Sequence, residues 1–305
     1  MALKKIIKDV LKYRQLFVLA FPGMLFLLIF NYIPLYGLIL PFKDFRYDLG
    51  FFKSPWIGLN NFKFLFNNGA AWRITRNTVG INFGFIMALL VFGVVFALML
   101  NELTKRQIKF YQTVIFFPYF LSWVVVSYVL LALLDMDKGL ANKIIVLFGK
   151  SPVLWYNEAK NWPVILIMSN TWKNLGYHVI IYYAGLVGIS PEYYEAADID
   201  GATRLQKIRY ISIPLIKPLI IIMFLLSIGK IFYGNFDLFY NLTRNSAALY
   251  PTTDVIDTYV FRALRATGDI GMASAAGAYQ SVVGFFIVIF ANFIVKKTSP
   301  ENSLF

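Results

Sequence analysis

The chain has 305 residues, 59% hydrophobic, 18% aromatic and only 15% charged, with a mean hydropathy of +0.63. Soluble domains run about 45–50% apolar and about 25% charged, so a soluble domain and a disordered chain are both excluded and an integral membrane protein is expected. The net charge of +13 is explained by anionic headgroups and membrane orientation without a nucleic-acid partner, and zero cysteines with a single histidine remove disulfides, thiol catalysis and His- or Cys-based metal sites.

Six stretches carry the roughly 20 apolar residues that a spanning helix needs, at 16–42, 78–100, 113–134, 162–189, 214–233 and 278–295. The fold class expected is therefore an all-α membrane protein with six transmembrane helices. The first stretch is too long for the apolar region of a cleaved signal peptide, and no small-x-small site follows it. Phe51, Phe52, Trp56, Phe62, Phe64 and Phe66 follow, and predict a short helix lying in the membrane interface. Gly80 and Gly84 in the second stretch form a GxxxG pair, read as close helix packing. Gly149-Lys150-Ser151 mimics the end of a phosphate-binding loop, but the glycine required five residues before Gly149 is Ile144. His178, in the fourth stretch, reads as a satisfied helix-packing residue.

Six crossings place both termini on one face. Lys and Arg divide nearly equally between the faces, but the terminal face holds its share in about half as many residues, close to span ends where the orientation bias operates. Lys4, Lys5, Lys8, Lys12 and Arg14 sit just ahead of the first helix. Both termini are accordingly placed in the cytoplasm.

Between the fourth and fifth stretches, Ser190 offers an N-cap, Pro191 suits the first helical position and Glu192 complements the helix dipole. A short helix should reach about Ile199 and end at Asp200-Gly201, where glycine admits the left-handed cap. Thr203 and Gln206 read as a capping box that starts a second helix, and Pro214 opens the membrane helix beyond. A solvated connector and a partner-docking loop both fit this pattern.

The loop resembles the signature of binding-protein-dependent ABC importer permeases: EAA, three residues, Gly, nine residues, then Ile-x-Leu-Pro. Glu195-Ala196-Ala197, Gly201 and Ile211-Ser212-Ile213-Pro214 reproduce every spacing, with Ile213 for Leu as the one departure. Phe30-Asn-Tyr-Ile-Pro-Leu-Tyr-Gly37, Phe42-Lys-Asp-Phe45 and Ser54-Pro-Trp-Ile-Gly-Leu-Asn-Asn-Phe62 look like the maltose-type sugar permeases, in the six-span branch for oligosaccharides and polysaccharide fragments.

The resemblance implies one permease domain over residues 1–305, of the type I importer architecture, in the bacterial cytoplasmic membrane. Its cytoplasmic parts would be residues 1–15, the coupling loop 190–214 and the tail 296–305. Glu195, Ala196, Ala197, Asp200, Gly201 and Pro214 would then form the contact with a cytoplasmic ABC ATPase dimer. The resemblance further implies a second permease subunit and an extracytoplasmic solute-binding protein. ATP and Mg would sit on the ATPase, leaving no cofactor and no catalytic residue in this chain.

Polar residues inside a bilayer face protein or water. At about 100° per residue, Asn170, Lys173, Asn174 and Tyr177 share one face of the fourth stretch, with Trp172 nearly opposite. Lys230, Tyr233, Gly234 and Asp237 would share a stripe at the end of the fifth. Amides and aromatic faces suit an oligosaccharide, and the two lysines an acidic one; the same residues could instead bridge helices or snorkel. An intramembrane enzyme would want paired catalytic groups within spans, and a secondary transporter inverted repeats with matching broken helices; neither pattern is visible.

Overall fold

Prolines and short polar residues set where the helices bend and stop. The computed structural model describes residues 12–67 and 69–298, and among these the only strand-like pairing is one bridge between Lys43 and Trp56. Lys4, Lys5, Lys8 and the tail beyond residue 298 lie outside the described residues.

Two units are distinguishable, residues 1–64 with 269–278 and residues 65–268 with 279–305. In the first, helix α1 (Arg14–Phe42) runs as an α-helix to Leu27, widens through Leu28–Tyr32 and tightens to a 3-10 helix from Ile33. Pro34 and Pro41 lack the N–H that a continuous ladder requires. The aromatic segment after it forms two short helices rather than one, Gly50–Lys53 and α2 (Asn60–Asn67). Side chains organise the link: Lys43 Nζ donates to the Phe51 and Phe52 carbonyls at 2.9 and 3.0 Å, and Asn61 Nδ2 donates to those of Pro41 and Lys43 at 3.0 and 2.9 Å.

The second unit contains α3 (Ala70–Asn101), α4 (Lys105–Phe116), α5 (Trp123–Leu134), α6 (Leu140–Leu147), α7 (Trp162–Val187), α8 (Pro191–Ile199), α9 (Arg204–Ile228), α10 (Phe236–Leu242) and α11 (Ile256–Thr267). Helix α12 (Ile270–Thr298) begins in the first unit and finishes in the second. Helices α3 and α7 form the principal pair. One apolar cluster gathers Phe85, Trp162, Leu166, Leu238 and Phe239 toward the start of α7, and a second gathers Ala97, Leu100, Val179, Tyr182 and Ile216 toward its end.

Helices α1, α3, α9 and α12 are long and apolar enough to cross a membrane, and α4 with α5 adds a fifth crossing if that bent pair is one span. Helix α7 has 26 residues, enough in length, but its polar face makes it less apolar. Two expectations are corrected here. The stretch 113–134 is not one straight helix but bends by 99° between Phe120 and Trp123. Pro118 cannot donate to the ladder, and Ser122 restarts it by accepting from Val125 N at 3.3 Å. Pro214 does not open the fifth helix either, since the helix already begins at Arg204 and passes through a π turn at Ile208–Ser212.

Of the GxxxG pair, only Gly84 sits at a close approach: a Cβ there would meet the Ile167 side chain, whereas one on Gly80 would meet nothing within 4 Å. His178 packs edge-on to Tyr177 and beside Tyr182 as expected, but its buried Nδ1 has no hydrogen-bond partner among the described residues.

Candidate functional site

The loop after α7 folds as its local sequence dictates. Helix α8 ends in a Schellman motif: Ala202 N donates to Ala197 O at 2.8 Å and Gly201 N to Asp198 O at 3.1 Å. Gly201 stands at φ +73°, where a side chain would be strained. Thr203 and Gln206 form the reciprocal capping box, with Thr203 N donating to Gln206 Oε1 at 2.7 Å. Ser190 precedes the helix, but its hydroxyl makes no cap bond.

Side-chain bonds tie α8 to the start of α9. The Tyr194 hydroxyl lies 3.0 Å from Ser212 Oγ in the π turn, and Lys207 pairs with Asp198. Glu195, Ala196, Asp200, Gly201 and Pro214 are exposed and Ala197 is half-buried. Ile199, Leu205, Tyr193 and Tyr210 are exposed beside them, Ile199 to 87%. A helix capped at its C-terminus and tied to the next one thus presents small and apolar side chains flanked by carboxylates.

The polar face of α7 meets the bend between α4 and α5. Lys173 Nζ donates to the Tyr119 carbonyl at 2.8 Å and lies over the rings of Tyr119 and Trp123, 5.4 and 5.3 Å from their centroids. The bend frees carbonyls, and the lysine satisfies one of them. Asn174 Nδ2 bonds back to Asn170 O and Oδ1 at 3.1 and 2.9 Å, and Tyr177 stacks on Tyr119 at 5.5 Å. Asn170 and Lys173 are buried, Asn174 is half-buried and Tyr177 is exposed.

The helical stripe expected at the end of the fifth span does not form. Helix α9 stops at Ile228, and residues 229–235 are unwound before α10 begins. Lys230 and Tyr233 are exposed on this unwound segment, and Asp237 is exposed in the first turn of a separate helix. Gly229 closes α9, and Asn235 caps α10 by accepting from Leu238 N at 3.2 Å.

Three side chains that the sequence reading missed hold the segment open. Asn82 Nδ2 donates to the Ile231 and Tyr233 carbonyls at 2.7 and 3.1 Å, and Gln280 Nε2 donates to that of Phe232. The Asp257 carboxylate accepts from Gly234 N at 2.6 Å and from Gln280 at 3.1 Å. Burial pushes its pKa up, partly offset by these two donors. The signal available was a lone Asn and a lone Gln within apolar spans.

Further along, Asp254 joins α3 to α11. Its fully buried carboxylate accepts from Arg73 Nη2 at 3.1 Å and pairs with Arg262, whose guanidinium lies 4.0 Å from the Tyr250 ring centroid. Burial also pushes the Tyr156 hydroxyl up to about 12, against the opposing charge of Arg244.

Comparisons with known proteins place this arrangement. Residues 89–300 match the family described as binding-protein-dependent transport system inner membrane component. The chain is 32% identical over 303 residues to the polygalacturonan/rhamnogalacturonan transport system permease protein YteP of Bacillus subtilis (strain 168), covering 98% of this chain and 93% of that one. It is 33% identical over 290 residues to protein LplB of the same organism, covering 95% and 91%.

Among solved structures, it superposes with a TM-score of 0.88 and 31% identity on a chain of a bacterial ABC transporter involved in the import of the acidic polysaccharide alginate, over 97% of this chain and 99% of that one. A bacterial alginate ABC transporter in complex with an alginate pentasaccharide-bound periplasmic protein gives 0.86 and 30%, over 96% and 97%. The loop with its EAA motif is typical of these permeases. The chain belongs to the family of binding-protein-dependent transport system inner membrane components, as a multi-pass, non-catalytic permease subunit of an ABC importer.

Proposed function

We propose that this permease imports oligosaccharides, pairs with a second permease to line the pathway, and is driven through α8 by a separate ATPase dimer. Residues 1–305 act as one permease domain of six crossings, with α7 as the polar fourth and both termini cytoplasmic. The observation that carries the coupling role is the rigid mounting of α8. Its Schellman cap, the Tyr194–Ser212 contact and the Lys207–Asp198 pair make a pull on α8 a pull on α9. Ala196 and Ala197 let a partner approach closely, and Glu195 offers it a charge-assisted bond.

A solute-binding protein delivers the substrate, a reading supported by the alginate-bound periplasmic protein of the structural relative. The carbohydrate assignment rests on what the relatives transport. Tyr177, Asn174, Lys230, Tyr233 and Asp237 offer exposed or half-exposed polar and aromatic surface to a passing sugar, whereas Asn170 and Lys173 are buried.

Gly201→Pro and Glu195→Lys test the coupling role. Proline fixes φ near −65°, against +73° here, so the turn must rearrange. Both variants should insert and fold but release the ATPase on detergent purification and lose transport. Full co-purification and uptake in both would remove this loop from the mechanism.

A further inference from the structure

An arginine stands where the backbone calls for glycine. Helix α10 ends in a second Schellman motif, with Asn245 N donating to Tyr240 O and Arg244 N to Asn241 O, each at 3.2 Å. Arg244 is thereby held at φ +54° and Asn245 at φ +50°. A Cβ in this left-handed region crowds the following carbonyl, which is why glycine is the default there. Asn245 recovers part of the cost, since its Oδ1 accepts from the Tyr250 hydroxyl at 3.1 Å and from Arg262 Nη1 at 3.2 Å. The exposed Arg244 guanidinium makes no hydrogen bond or ion pair among the described residues. Strain kept without a local return marks a residue whose side chain is wanted in place.

That side chain lines a cavity of about 240 Å³ between α5 and α10, together with Ser127, Tyr128, Tyr240 and Asn241. Drug-sized ligands occupy roughly 300–1,000 Å³, so this cavity suits one ring of a chain rather than a whole oligosaccharide. Two phenols, a hydroxyl and a carboxamide supply stacking and hydroxyl bonding. Arg244 is the single ionic group in the lining, and its planar fork matches a carboxylate bidentately. A lipid phosphate surface would call for clustered cations instead.

We propose that this cavity is a subsite for one uronate ring of an acidic oligosaccharide, with Arg244 as the specificity-determining residue that reads the carboxylate. The inference rests on the oligosaccharide-importer reading and adds to it a cavity and the residue that would read the charge of the substrate. The test is uptake by the fully assembled importer of trigalacturonate and triguluronate, each beside its carboxyl-reduced neutral counterpart. In Arg244→Gly, KM for the acidic trimers relative to the neutral ones should rise about tenfold or more. Arg244→Lys should fall between, keeping charge but not the fork. Arg244→Gly should melt no lower than the wild type, because glycine relieves the backbone.

An unchanged acidic-to-neutral ratio in Arg244→Gly would overturn the subsite, as would equal loss of both sugar types or loss of the second permease on purification. Wild-type uptake of neutral trimers alone would overturn it too, while leaving the carbohydrate reading intact. Uptake of neither type would bring down both.

Discussion

Asp254→Ala should lower stability by about 3–5 kcal/mol, the loss typical when one partner of a buried ion pair is removed. Its carboxylate has no exposure, and each oxygen meets a different arginine. Arg262 is the partner that suffers most. Only 21% of its side chain is exposed, and the variant would leave it its Asn245 bond and the Tyr250 ring but no counter-charge.

Arg73 is 41% exposed and regains water, so Arg73→Met should cost far less. The backbone shares the damage, because Asn77 Nδ2 donates to the Asp254 carbonyl at 3.1 Å and Ile256 N to Thr78 Oγ1 at 3.1 Å. Thermal unfolding in detergent, read with gel filtration, measures the effect. Asp254→Leu with Arg262→Met removes the carboxylate and the more buried of its two arginines, and should melt above Asp254→Ala. A single variant that melted with the wild type would show that the cluster contributes nothing net.

What could be read in the sequence, and what could not, divides by the range of the interactions involved. The loop between α7 and α9 was legible at its turn and capping box, though not at Ser190 or Pro214, because those signals are local. Gly201 follows Asp200, Thr203 finds Gln206 three residues on, and no distant residue needs to be known. The end of α9 was not legible, because residues 214–233 stay apolar past the true stop at Ile228. Hydropathy reports what lipid tolerates, not where a helix ceases.

The unwound segment survives because Asn82, 149 residues away from Ile231, caps its carbonyls, a purely tertiary fact. The same holds for Lys173, whose polarity was visible but whose acceptor at Tyr119 exists only once α4 and α5 are bent. The bend itself had local markers in Pro118 and Ser122, outweighed by the apolar run around them. The GxxxG pattern at Gly80 and Gly84 likewise named one residue at a close approach, while Gly176, which meets the backbone of a neighbouring helix rather than a side chain, has no such pattern.

Gly176→Val should be among the most damaging single changes in the chain, costing about 3 kcal/mol or more, at the upper end of overpacking. A Cβ at this position would lie 2.5 Å from both the Ile115 carbonyl oxygen and the Phe116 Cα. Those are backbone atoms of α4 next to the bend, so no rotamer change can make room. Helix α7 would have to withdraw, stretching the Lys173–Tyr119 bond one turn away and parting the Tyr119–Tyr177 stack.

Two other glycines calibrate the expectation. Gly84→Ala meets only the flexible end of Ile167, which can swing aside, and should be nearly neutral. Gly80→Ala meets nothing within 4 Å and should gain about 0.5–1 kcal/mol from reduced chain entropy in a helix interior. Thermal unfolding of the three variants in one detergent gives the order. If Gly176→Val melted beside Gly84→Ala, the backbone contact would not be what fixes α7 against the bend, and Lys173 alone would have to hold it.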